Sequence, residues 1–223
     1  MPFGGLDQSN EVPDGVLLLS QRYLAPMLLF IGLVAVLTTS DTGPLTATYA
    51  SVAGAMLLCS VWLTMALSGL EDQPHRSIVV VSAGSHLRVL LATVGTAAVW
   101  CLLLTAAGLV LPLMFGTHAP GLADLVLGSE VQLTCAFTGI AIGLVCSRLV
   151  FRRQGYALVL ALVLLLAALL GKGVSPVSVM VTRLQNAPDS AAALGLTSVL
   201  LAVAAAFLAT AAAITLVIAR RKA

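Results

Sequence analysis

Residues 191–219 read AAALGLTSVLLAVAAAFLATAAAITLVIA, an uncharged run that meets three consecutive bases, Arg220, Arg221 and Lys222. A bilayer's hydrocarbon core takes about 20 apolar residues per helical span, and the run is long enough to cross with residues to spare. It is apolar around its whole circumference and lacks the two-residue alternation of a barrel strand. The segment therefore reads as a transmembrane helix with a basic flank.

The same pattern recurs along the chain. Apolar runs fall at Tyr23–Thr39, Leu45–Leu67, Leu87–Met114, Val131–Ser147, Tyr156–Leu170 and Ala191–Ala219. This predicts an all-α polytopic membrane protein with six transmembrane helices. Composition agrees: 60% of the 223 residues are hydrophobic and only 9% are charged, where soluble domains carry about 25% charge. Mean hydropathy is +1.08. Residues 1–22 read as a cytoplasmic segment in which Asn10–Arg22 can form an amphipathic helix, 23–219 as one membrane domain, and 220–223 as a basic tail. With Asp7, Glu11 and Asp14 ahead of Arg22, there is no basic region leading to a cleavage site, so the first span is expected to be retained.

Lys and Arg are enriched in cytoplasmic loops. With the N-terminus inside, Arg22, Arg76, Arg88, Arg148, Arg152, Arg153, Arg220, Arg221 and Lys222 are cytoplasmic, and only Lys172 and Arg183 lie outside. Both termini are thus expected in the cytoplasm of a cell that places this chain in its inner membrane. A net charge of +2 is too small for a protein that works by covering phosphate backbones, which argues against nucleic acid as a partner.

Three segments are neither plain span nor plain loop. The link from Glu71 to Arg88 is polar, briefly apolar at Ile78–Val81, then polar again. It reads either as a surface helix that docks a cytoplasmic partner or as a loop with a buried valine patch. Past the fifth run, Ser175 can cap a helix whose first residue is Pro176, and Asn186-Ala187-Pro188-Asp189 stops it. That helix, too short to cross, is either interfacial and partly re-entrant or an external segment packed on the bundle. In the fourth run Cys135, Gly139, Gly143 and Ser147 recur every four residues, a small-residue stripe that lets another helix approach, within the chain or across a dimer.

Chemistry is sparse. Asp41, Asp124, Asp189, Glu71 and Asp72 are expected in loops and Glu130 at the edge of the fourth span, which leaves no carboxylate in the membrane for a proton-coupled carrier. His75, His86 and His118 sit in loops without metal-ligand spacing, and Cys59, Cys101, Cys135 and Cys146 lie in apolar runs as small buried hydrophobes. There is no GxSxG elbow and no phosphate-binding GxxxxGK[ST] loop, so no metal, cofactor or catalytic activity is expected of this chain.

A six-span bundle of this kind needs an outside energy source if it transports. From Glu71 to Arg88 the sequence resembles the coupling segment of the membrane subunit of ABC type-2 transporters, commonly written E…GTLE…LL…P.S. Glu71 stands at the glutamate, Ser77-Ile78 at Thr-Leu, Val80-Val81 at the paired aliphatics and Ser85 at the late serine, with Arg88 near the basic residue before span three. The Gly before Thr, the second Glu and the late Pro have no counterpart. Ser175–Leu184 is similar to the family's short external helix. The resemblance implies a permease, mostly exporting, that pairs with a separate ATP-binding subunit holding ATP and Mg and with a second membrane subunit. It implies that Glu71, Arg76, Ser77, Val80, Ser85 and Arg88 contact the ATPase. The rival expectations are a non-transport membrane component that binds another protein, and a secondary carrier or channel.

Overall fold

The computed structural model describes residues 12–40, 45–69, 86–115, 121–147, 154–171, 175–185 and 190–222, with side-chain placement toward some helix ends left aside. The described chain is all α. Its helices are α1 (Val12–Ser40), α2 (Leu45–Gly69), α3 (His86–Phe115), α4 (Leu122–Val145), α5 (Gln154–Leu170), α6 (Pro176–Gln185) and α7 (Ser190–Lys222). Four are long and apolar enough to cross a membrane, through Thr48–Ser68, Leu90–Met114, Leu122–Val145 and Leu194–Ile218. The apolar parts of α1 and α5, Leu24–Thr39 and Gly155–Leu170, are shorter, roughly 24 Å at 1.5 Å per residue.

Two element boundaries differ from expectation, each for a local reason. Residues 12–22, read as a separate segment, belong to the same helix as the first apolar run. The fourth helix starts at Leu122 and not near Val131. Its start is built by Gly121, whose extended backbone precedes the helix and whose N–H donates to Asp124 Oδ2 at 3.0 Å. A carboxylate in the first turn satisfies an otherwise unpaired donor and opposes the positive end of the helix dipole. Asp124 is thus a helix-start signal that the hydropathy reading took for a loop residue.

α4 is the central element. It packs along α2 on one side and α7 on another, with α3 beside both α2 and α4, and α1 against α2 and α3. Burial follows from this: 67% of the apolar stretch of α2 and 61% of that of α4 are buried, against 33% for α3 and 17% for α7. The core between them is made by Met56, Leu57, Leu63, Leu127, Ile140 and Leu144. α5 lies at the periphery and exposes Leu158, Val159, Leu162, Val163 and Leu166, while α7 exposes Val199, Phe207 and Ile214. Such long apolar faces suit lipid as their solvent, and in water they would drive association.

α6 closes the bundle between α5 and α7. The Ser175 hydroxyl accepts from the Val177 N–H at 3.2 Å, with Pro176 in the first turn. Val177, Met180 and Leu184 are fully or nearly fully buried against the core, and Thr182 and Arg183 face outward. α6 contacts α7, α2, α5 and α4, so this ten-residue helix is integrated into the packing. All four cysteines are free and buried, as hydrophobic fillers would be.

Candidate functional site

Of the residues expected to meet an ATPase, Glu71, Arg76, Ser77, Val80 and Ser85 lie outside the described residues. Arg88 falls in the first turn of α3, and its side chain is likewise outside the description. The expected coupling helix between α2 and α3 thus has no counterpart among the described residues.

The small-residue stripe has one. Gly139 meets α2 so closely that a Cβ there would stand 1.9 Å from Ser60 Oγ and 2.9 Å from the Leu57 carbonyl oxygen. At Gly143 an added Cβ would stand 2.6 Å from Thr64 Cβ. Ser60 and Thr64 turn their hydroxyls back to the Leu57 and Ser60 carbonyls, at 2.9 and 2.8 Å. Two helices thereby meet backbone to backbone without stranding a donor. Ser147, at the end of the stripe, is buried, and its hydroxyl has no hydrogen-bond partner among the described residues.

The earlier start of α4 changes the reading of Glu130. It lies eight residues inside the helix, about 12 Å from Leu122, in a stretch long and apolar enough to span. There it joins α7. Thr197 Oγ1 donates to Glu130 Oε2 at 2.5 Å and Ser198 Oγ donates to Glu130 Oε1 at 2.8 Å. Both hydroxyls also lie within reach of the Leu194 carbonyl, at 3.0 and 2.8 Å. A hydroxyl has one proton, so each can either bridge to α4 or fold back onto its own helix. Thr197 is buried and Ser198 is exposed, which leaves the carboxylate half-buried at the α4–α7 seam. Glu130, expected at the edge of the fourth span, thus lies inside the helix and not at its start. A span read from Val131 leaves Glu130 at its edge, whereas the helix runs back to Leu122.

A second polar pair lies in the α2–α3–α4 seam. Gln132 and Tyr49 are both fully buried, and neither the Gln132 amide atoms nor the Tyr49 hydroxyl has a hydrogen-bond partner among the described residues. Each abuts a glycine. A Cβ on Gly108 of α3 would stand 2.7 Å from Gln132 Oε1, and one on Gly128 of α4 would stand 3.2 Å from the Tyr49 ring. Tyr49, in the first turns of α2, is thus a core residue.

Among the described residues there is no cluster of three or more His, Cys, Asp or Glu side chains able to hold a metal ion. Comparison of the chain with family models, curated proteins and solved structures finds no match.

Proposed function

We propose that this chain is the transmembrane subunit of an ATP-driven transporter of the ABC type-2 kind. In this reading six spans, with both termini cytoplasmic, work as an exporter beside a second membrane subunit and a separate ATP-binding subunit that holds ATP and Mg. The observation that carries the reading is α6: a short capped helix, buried through Val177, Met180 and Leu184, directly before the last long helix. That is the position and length of the external helix that the sequence resemblance implies. The lack of a phosphate-binding loop in the sequence adds to it, since energy then comes from a partner.

Coupling works by population shift. ATP-driven closure of the partner favours one arrangement of the membrane subunits only insofar as the Glu71–Arg88 segment binds the open and closed ATPase with different affinity. The test is purification of the tagged chain from its native membrane in mild detergent, with the co-purifying proteins identified and assayed for ATPase activity. A stoichiometric P-loop ATPase is expected, and Val80→Asp should release it while membrane insertion persists. A chain that purifies alone, or with a partner that binds no nucleotide, sinks the reading in favour of a non-transport membrane component.

Glu130, inside a helix long and apolar enough to span, supports one alternative, an ion-coupled carrier, because a carboxylate within a span is the usual means of carrying a proton or cation. Liposomes holding this chain alone separate the two: solute movement driven by an ion gradient without ATP, and lost in Glu130→Gln, belongs to the carrier.

A further inference from the structure

Buried polar groups along α4 differ between its middle turns and its first half, with Ser147 past the far end also lacking a partner among the described residues. Toward its C-terminal half, Ser60, Thr64 and Thr138 each donate to a backbone carbonyl of their own helix, at 2.9, 2.8 and 2.8 Å. Here α4 and α2 are held together by the Gly139 and Gly143 contacts. Toward the Gly121 end, Gln132 and Tyr49 are equally buried, but their polar atoms are unpartnered among the described residues. Gly128 and Gln132 are one turn apart and lie on one face of α4. Against that face stand Tyr49 of α2 and Leu109 and Gly108 of α3.

An unpaired buried amide has two donors and an acceptor that water would satisfy, so closing the seam over Gln132 opposes itself in a way that closing it over Gly139 does not. We propose that the seam between α3 and α4 at Gly108 and Gln132 is a cleft that opens from the Gly121 end. Opening hydrates Gln132 and Tyr49 while the α2–α4 contact at Gly139 and Gly143 stays shut. The cleft reaches ten residues into α4 from Leu122, about 15 Å. Beside those two side chains its wall includes the apolar Leu109, which lies against Gly128. The inference stands whether or not the chain belongs to an ATP-driven transporter.

Backbone hydrogen exchange on the full chain in lipid nanodiscs, read by mass spectrometry with no nucleotide and no partner present, tests it. Peptides over residues 104–111 and 127–133 should exchange at least about tenfold faster than peptides over 57–64 and 136–143. Gln132→Leu, of similar volume and without polar atoms, should slow the first pair about tenfold and leave the second unchanged. Gly108→Ala, which pushes on Gln132, should speed the first pair. Gln132→Met serves as a second apolar variant in case branched Leu mispacks. Equal protection of the two pairs, or apolar variants that leave the first pair unchanged, overturns the proposal.

Discussion

At the scale of single residues, glycine does opposite work at different positions of the same bundle. Gly139 lies under Ser60 and the Leu57 carbonyl, and Gly54, in the adjoining helix, has nothing within 4 Å of where a Cβ would sit. Gly139→Ala should therefore destabilise the protein by about 1–3 kcal/mol through overpacking against backbone. Gly54→Ala should raise stability by up to about 1 kcal/mol through helix propensity. Thermal unfolding of the two variants in one detergent checks the pair, and similar shifts of one sign would refute the packing geometry. For Glu130 the fallback acceptor matters. When Glu130→Ala removes the carboxylate, Thr197 and Ser198 still have the Leu194 carbonyl, so the loss should be near the ~0.6 kcal/mol average of interhelical hydrogen bonds in membranes and below about 2 kcal/mol. A larger loss, measured the same way, would mean that the carboxylate holds α4 and α7 together by itself.

At the scale of elements, helix starts are chemical events that hydropathy does not see. α4 begins where Asp124 accepts from the Gly121 N–H, and α6 where Ser175 accepts from the Val177 N–H. Ser175→Ala should cost about 1 kcal/mol. Since α6 is fastened by Val177, Met180 and Leu184, the helix should loosen at its first turn and not melt. Limited proteolysis around residues 171–178 is the appropriate probe: faster cutting there with α7 intact is expected, and cutting throughout residues 176–185 would show that the cap and not the buried face holds the element. The division of α3 and α7 into a buried side and an exposed side likewise arises from packing, since both are apolar on most of their circumference.

At the scale of the whole molecule, burial grades outward from α2 and α4 to α5 and α7, with apolar side chains on both the inside and the outside. The distribution of bases predicts that a fluorescent protein fused after Ala223 glows in the cytoplasm, whereas an export-dependent phosphatase at the same place stays inactive. The reverse pattern would invert the topology and place Glu71–Arg88 beyond reach of a cytoplasmic ATPase. Sequence by itself determined the all-α class and roughly where four long apolar helices lie, but not where α4 begins. Transfer from water to hydrocarbon is set by local composition, and residues 191–219 carry that signal without reference to any other part of the chain. It also made α6 legible, because a Ser-Pro start and an Asn-Ala-Pro-Asp stop act locally. Only tertiary structure decided which faces of equally apolar helices are core, that Gly139 and Gly143 serve α2, and that Tyr49 is interior. Only it brought Glu130 to Thr197 and Ser198, and left Gln132 against Gly108 without a partner among the described residues. The physical reason is that a pairing between residues some seventy positions apart depends on helix order, rotation and depth. An all-round apolar helix carries no periodic signal to fix its rotation.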